Sequence, residues 1–514
     1  MKKVFLWVDD EIDQLKAHII FLEERGYKVN IATNGDDAIE MVKKQDFDLI
    51  LLDEMMPGRD GLSTLVEIKE FNPNLPVVMV TKSEEERLMD QAIGQKIDDY
   101  LTKPINPSQV LSVAKRILEK KHILEEHLTR EFVTEFNRIN SILMGPLDWQ
   151  DWIDIHVKLS EMDLAVENFK DIGLKQSHHD QKHQCNAEFA HFVEDNYLDW
   201  LKGEGPLLSV DIVKNFLVPH FKRKRQVFFI VIDCMRFDQW LMIEPLLAEY
   251  YNIKRDYYYS IIPTATPFSR NAIFSGEFPD KVAELYPELW KFNVSDYSRN
   301  RNERQLLDRQ LKKLGVKLEG EAKYIKILDL EEGQNLTKKI KSYSGTPLIS
   351  AVYNFVDILS HGRSESEILQ EIAPNEAAFR SLMKSWFSHS HLFEMLRNLS
   401  DWDCTIVITT DHGSVLGTRG AIVYGKRETS SNLRYKYGDN LNCNPKQTFF
   451  IKNPKDYRLP VWSLATTYLI AREDYYFVYP TNYSEYRRQY KNSFQHGGIS
   501  MDEMILPVVT LQPK

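Results

Sequence analysis

Cysteine is scarce. Cys185, Cys234, Cys404 and Cys443 stand far apart in a chain of 514 residues, and no two form a CxxC pair. A disulfide framework is therefore not expected, and a reducing compartment, the cytoplasm, is. No apolar run approaches the roughly 18 residues that a membrane helix needs, so no membrane insertion is expected. The opening MKKVFLWVDDE turns acidic with no small-residue cleavage site, which reads as a buried first strand and not a signal peptide. Positive charge is in deficit, 65 basic against 75 acidic residues for a net charge of -10, which argues against broad binding of duplex nucleic acid. No internal repeat, long low-complexity segment or helix-turn-helix reader stands out.

What is present is enough chain for two or three domains, 43% hydrophobic as in globular proteins. Residues 1–121 alternate short apolar runs (KVFLWV, KVNIAT, DLILLD, PVVMVT, DDYLTKP) with helical patterns. That rhythm predicts an α/β domain with a flavodoxin-like parallel sheet. Over 122–205 the strand signals stop and apolar residues recur at helical spacing, predicting a helical-bundle connector. From 206 to 514 a second α/β pattern begins, with buried strands QVFFIVID, PLISAVYNFVD and CTIVITTD, each ending in an aspartate.

Ligands of a parallel sheet collect at the carboxyl ends of its strands. In the first domain those ends carry Asp9 and Asp10, then Asp53, with Thr81 closing the fourth strand and Lys103 after the fifth. Clustered carboxylates suit Mg2+, and a hydroxyl and an ammonium beside them can hold a phosphoryl group. In order, VDDE, LLDEMMPGRDG, VT and YLTKP resemble the receiver domain of two-component response regulators. The resemblance implies that Asp53 accepts phosphate from a histidine kinase. It implies that Asp9, Asp10, Asp53 and the Met55 carbonyl bind Mg2+, that Thr81 and Tyr100 switch conformation, and that Lys103 contacts the phosphoryl group. Lys82 stands where many receivers have a small residue, which implies a shielded or slowly lost acyl phosphate.

The last domain poses a different chemistry. Asp233, Asp357 and Asp411 end strands; His361 and His412 follow two of them; FQHGGISMDEMILP supplies His496. Histidine nitrogens and carboxylate oxygens suit zinc, and six such groups are more than one tetrahedral ion uses. Two ions about 4 Å apart lower a hydroxyl's pKa, orient a phosphate and stabilise a leaving oxygen. The turn SIIPTATPFSRNAIFSG offers the hydroxyl. This set resembles the alkaline phosphatase superfamily, and PTATPFSRNAIFSGEFP with HGGISMDEMILP resembles its PglZ branch. The resemblance implies one zinc on Asp233, Thr266, Asp411 and His412, and another on Asp357, His361 and His496. It implies Thr266, not Thr264, as the catalytic nucleophile, with Arg270 or Asn271 steadying the substrate phosphate.

Receiver, connector and PglZ-like domain in one chain resemble the PorX-type response regulators of type IX secretion and gliding. That resemblance implies a PorY-like sensor histidine kinase, a homodimer on phosphorylation, one or two zinc ions, and phosphodiesterase action on an oligonucleotide. A sigma factor or secretion-system protein is a further implied partner. A mononucleotidase and an oligonucleotide diesterase could share all seven residues, and a non-catalytic zinc scaffold binding a protein partner is the alternative. Three features are read as structural. SHHDQKHQC (His178, His179, His183, Cys185) is expected to be a polar helix–helix loop, DYYYS at 256–260 packing, and Glu503 a group orienting His496.

Overall fold

A computed structural model describes residues 3–82, 97–167, 171–221, 225–290, 296–425 and 432–514. The chain divides into two compact units, Met1–Val133 and Thr134–Lys514.

In the first unit the strands are β1 (Val4–Val8), β2 (Lys28–Ala32), β3 (Leu49–Asp53), β4 (Val77–Thr81) and β5 (Asp99–Thr102). They pair in parallel in the order β2-β1-β3-β4-β5. Side chains alternate across a strand, so Leu6, Val8, Ile50 and Leu52 fill one core while Phe5, Trp7, Leu49 and Leu51 fill the other. With helices on both faces, the inner strands β1, β3 and β4 read as continuous apolar runs, which is why they were legible, while the edge strands β2 and β5 are partly exposed. The order reverses between β1 and β3, and Asp9 and Asp53 lie at that crevice. Behind Asp53 the chain turns tightly enough that a Cβ on Gly61 would sit 2.2 Å from the Asp53 carbonyl oxygen. Asp60 caps the helix Gly61–Phe71 by accepting from the Ser63 amide. A 36-residue helix, Pro107–Ile142, runs past the division at Val133.

The second unit begins with helices. Asp148 and Asp151 form a capping box on Trp149–Val166, and Asp171 caps Ile172–Trp200. Trp152 packs edge-on to Phe189 with centroids 5.4 Å apart. The expected loop SHHDQKHQC instead lies inside Ile172–Trp200. Its buried face carries polar groups where a helix usually carries hydrocarbon: Lys182 is ion-paired to Asp163 at 2.8 Å, and His178 Nε2 lies 2.7 Å from the same carboxylate. Polar residues on the inner face erased the apolar periodicity that marks a helix.

The same helix supports the rest of the unit. Tyr197 Oη accepts from the Ile262 amide at 3.0 Å, and Asn186 Oδ1 accepts from the Met501 amide at 2.9 Å. The main sheet has six strands. β6 (Gln226–Ile232), β8 (Lys323–Ile327), β9 (Leu348–Tyr353) and β10 (Cys404–Thr409) run parallel in the order β10-β6-β9-β8. The C-terminal strand Ile505–Pro513 pairs antiparallel with β10 and with β7 (Tyr251–Tyr259). Every residue of β9 and β10 is buried. One expectation changes. β9 ends at Tyr353, so Asp357 does not close a strand but sits in the first turn of the helix Phe355–Glu365. That puts Asp357 and His361 at i and i+4, on one helical face.

Candidate active site and receiver site

In the receiver unit, one ligand oxygen from each of Asp9, Asp10 and Asp53 lies within 4.8 Å of the others. Asp9 and Asp53 are buried and Asp10 is exposed. Lys103 Nζ stands 2.9 Å from both Asp9 Oδ2 and Asp53 Oδ1. Burial raises the Asp53 carboxyl above its ordinary range, with the Asp9 and Asp10 charges adding to it against the pull of Lys103. Burial works against the Lys103 charge, but hydrogen bonds to Asp9 and Asp53 outweigh it and raise its pKa. Three acids against one ammonium leave a negative cradle that fits a hard divalent cation. Thr81 is buried at the end of β4, while Tyr100 on β5 and Met55 are exposed. Lys82 Nζ lies 3.8 Å from Glu11 Oε2.

The second site gathers residues from 233 to 496 around one cleft of about 800 Å³, whose lining includes Asp233, Thr266, Arg270, Asp357, His361 and His496. It has two donor sets, Asp233–Asp411–His412 and Asp357–His361–His496, each with its ligand atoms within 4.8 Å of one another. In the first set each carboxylate has one oxygen pinned by protein and one without a partner. Asp233 Oδ2 accepts from Arg270 Nη1 at 2.6 Å and Asn354 Nδ2 at 2.7 Å, leaving Oδ1. Asp411 Oδ1 accepts from the amides of His412 and Cys234 at 3.1 and 3.4 Å, leaving Oδ2. Both orphan oxygens lie 3.7 Å from His412 Nε2. Buried carboxylate oxygens without a donor are costly, which is the signature of a cation site.

His412 shows the same intent. Its Nδ1 lies 3.0 Å from the Gly413 carbonyl, which only accepts, so Nδ1 carries the proton. Burial lowers its pKa, so the ring is neutral and Nε2 offers a lone pair. Gly413 makes the turn possible, because a Cβ there would lie 1.9 Å from the Asp502 carbonyl oxygen. Cys234, next to Asp233, holds φ of 66° in the left-handed region, a strained turn for a side-chain-bearing residue. Burial and the charges of Asp411 and Asp357 push the Asp233 carboxyl up to about 7 against the pull of Arg270.

In the second set His361 Nε2 and His496 Nε2 are 3.1 Å apart and each is 3.4 Å from Asp357 Oδ1. Donors on a tetrahedral ion with bonds of about 2.0–2.1 Å are separated by roughly 3.3 Å. The triangle therefore fits a zinc-sized ion, and all three residues line the cleft. Burial opposes the Asp357 charge, but the two imidazoles outweigh it and hold its pKa down. The sets adjoin, since His412 and His496 stack with centroids 4.2 Å apart.

The two threonines are told apart by their partners. Thr264 is fully buried; its Oγ1 donates to the Gly498 carbonyl at 2.7 Å and accepts from the Gly497 amide at 3.2 Å, pinning the loop after His496. Thr266 begins the helix Thr266–Ser275, lines the cleft, and has Oγ1 3.0 Å from His412 Nε2. Arg270 is buried, with Nε 2.6 Å from Glu303 Oε1 as well as its bond to Asp233. Asn271 is buried and donates to the Pro267 and Arg299 carbonyls, at 3.0 and 3.1 Å. Glu503 takes the Gly498 amide, Ser500 Oγ and Arg434, so it fixes the loop bearing His496. Glu303, Asn354 and Lys326 also belong to the cleft or its supports, and no sequence signal marked them. Their recognition depends on strands and helices meeting in space.

Residues 5–115 match the response regulator receiver domain, 122–201 the PorX response regulator linker domain, and 212–511 the BREX system PglZ alkaline phosphatase-like domain. The chain belongs to the PglZ alkaline phosphatase-like family. With a receiver and a PorX linker ahead of the PglZ domain, it has the build of a PorX-type response regulator. Among curated proteins it is 37% identical over 115 residues to the transcriptional regulatory protein ResD of Bacillus subtilis, covering 22% of this chain and 48% of that one. It is 34% identical over 173 residues to the alkaline phosphatase synthesis transcriptional regulatory protein PhoP of Bacillus subtilis, covering 33% and 70%. The chain thus spans about half the length of ResD. A receiver domain protein (CheY-like) of Methanospirillum hungatei, of known structure, matches at 27% identity and a TM-score of 0.23, covering 24% of this chain and 98% of that one. The receiver implies a phosphodonor histidine kinase in general. Among the described residues no helix is long and apolar enough to cross a membrane.

Proposed function

We propose that this PglZ-family response regulator is a cytoplasmic, zinc-dependent phosphodiesterase whose nucleophile is Thr266 and whose receiver, phosphorylated on Asp53 by a PorY-like kinase, controls it. The observation that carries this reading is the 3.0 Å contact between Thr266 Oγ1 and His412 Nε2 at a cleft flanked by two donor sets. Zinc held by the two sets would supply Lewis acidity, lowering the hydroxyl's pKa and screening charge on the phosphoryl group.

The chain's own groups do the rest. With the proton on Nδ1, His412 Nε2 presents its one lone pair to the cation that the first set would hold, and Thr266 Oγ1 stands 3.0 Å from that nitrogen, beside the same cation position. The helix that starts at Thr266 places its positive end where an anionic ester must sit. Thr266 Oγ1 attacks phosphorus as its proton passes to solvent water, the P–O bond to the leaving group breaks and that oxygen takes a proton from water, and a further water later hydrolyses the phosphothreonine to a phosphate monoester and free Thr266. Thr264 and Glu503 keep the His496 loop in place throughout. The substrate proposed is an oligonucleotide diester, and the cellular role proposed is control of type IX secretion and gliding, with a sigma factor or secretion-system protein as partner.

The test is hydrolysis of bis-p-nitrophenyl phosphate and of short linear and cyclic oligonucleotides by zinc-loaded protein. Turnover by the wild type and its loss in Thr266→Val, at equal zinc content, is the expected result. Equal rates in both, or none in either, would leave a zinc-binding scaffold as the reading.

A further inference from the structure

In a chain whose basic residues are outnumbered 65 to 75, the helix Tyr483–Tyr490 reads YSEYRRQY, with Lys491 directly after it. The Lys491 amide still donates to the Arg487 carbonyl at 3.1 Å, so the helical turn carries through that residue. Ser484, Arg487, Arg488 and Lys491 therefore fall at i, i+3, i+4 and i+7, which is one helical face. With Tyr483 and Asn492 they line a groove of about 490 Å³. All three cations are exposed, and among the described residues none is in an ion pair, even with Glu485 of the same helix. The charge of Arg487 is felt by the Tyr476 hydroxyl, a buried and neutral group. Tyr483, Tyr486 and Tyr490 recur at i, i+3 and i+7 along the adjoining face, and the rings of Tyr486 and Tyr490 stack with centroids 5.8 Å apart.

Two features join this groove to the cleft at Thr266. Gln489 and Tyr490, from the same helix, line that cleft. The Asn492 carbonyl accepts from the buried Arg363, which stands just past His361 in the helix Phe355–Glu365.

We infer that the face bearing Arg487, Arg488 and Lys491 is a second binding site for the substrate, holding backbone phosphates of a single-stranded oligonucleotide beyond the one that enters the cleft. Three cations without an acid of their own complement a polyanion, and that attraction releases counterions from it. Tyrosine interleaved with arginine is the composition that tracks a single strand, which offers both charged phosphates and flat bases. The inference rests on the phosphodiesterase reading only for which phosphate is cut; binding of the strand reads it separately.

The experiment titrates a fluorescein-labelled single-stranded oligothymidylate of six nucleotides with zinc-loaded full-length protein, by anisotropy read before cleavage, over a series of salt concentrations. A hexaglutamate peptide is titrated in parallel. The variants are Arg488→Gln, Arg488→Lys and the triple variant Arg487→Gln, Arg488→Gln, Lys491→Gln, all at exposed positions, with zinc content and melting temperature expected to match the wild type. The triple variant should bind the oligonucleotide at least 10-fold more weakly. Its slope of log affinity against log salt should shrink by about 2, as three lost phosphate contacts require. Arg488→Gln should lose part of the affinity and Arg488→Lys should keep it. In the triple variant kcat/KM for the oligonucleotide, relative to that for bis-p-nitrophenyl phosphate, should fall at least 10-fold, through KM. Wild-type affinity and salt slope in the triple variant overturn the inference, as does hexaglutamate binding as tightly as the oligonucleotide, or no oligonucleotide binding by the wild type. Strand binding that needs the three cations in a protein without turnover supports this site and rejects the phosphodiesterase. Turnover of the oligonucleotide that is indifferent to the three cations keeps the phosphodiesterase and rejects this site.

Discussion

The imidazole rings of His412 and His496 stack with centroids 4.2 Å apart and planes 18° from parallel, joining two donor sets whose residues interleave along the second unit. Two imidazolium rings would repel at that distance. Burial lowers the pKa of both, so they stack as neutral ligands. Because each ring serves a different set, the sets can be emptied one at a time. His496→Ala is expected to bind one zinc fewer than the wild type by elemental analysis, and so is Asp411→Asn. If either variant holds wild-type zinc, the two-set assignment fails.

Thr264→Val and Thr266→Val separate pinning from chemistry. Loss of the Thr264 hydroxyl leaves the buried Gly498 carbonyl and Gly497 amide unpaired. It should lower unfolding free energy by about 1–3 kcal/mol in denaturant titrations. Thr266→Val should change stability by less than about 1 kcal/mol but reduce kcat by more than roughly a thousandfold. Equal kcat for wild type and Thr266→Val would refute the nucleophile.

His156 gives a pH dependence with a defined sign. Burial first, then the Lys182 charge, lower its pKa to about 3. An unfolded histidine titrates near 6.5, so below that pH the unfolded chain takes up a proton that the native ring does not. This contribution to stability is intact above pH 6.5. It falls by up to about 1.4 kcal/mol per unit as pH drops from 6.5 toward 3. His156→Phe should flatten the difference in unfolding free energy between pH 7 and pH 5. An unchanged slope would show that the native ring titrates normally.

The receiver is tested by phosphate mimicry. Beryllofluoride or acetyl phosphate should move the wild type toward dimer in sizing experiments, because a new anion at Asp53 must be met by Lys103 and the cation cradle. Asp53→Ala should not respond. Identical elution of wild type with and without beryllofluoride would count against the switch.

Much of this was legible in the sequence for a physical reason. β1, β3, β6 and β10 are buried on both faces, so each reads as an unbroken apolar run, with an acid at or just past its end. Asp357 misled because its strand stops at Tyr353 and an amphipathic helix takes over without a Gly or Pro to mark the change. The segment around His178 misled because its inner face is ionic. Glu303, Asn354 and Lys326 carried no local signal at all; sheet pairing sets β9 beside β6 and β8 beside β9, and Glu303 comes from the helix Glu303–Lys313.

The helix Ile172–Trp200 supplies acceptors to the amides of Ile262 and Met501, one just ahead of the turn bearing Thr264 and Thr266 and one just past His496. A fragment starting near residue 206 would strand both amides in a dry interior. The PglZ domain is thus no detachable cargo: one linker helix holds an amide on each of the two loops that border its cleft, so the loops share a single support.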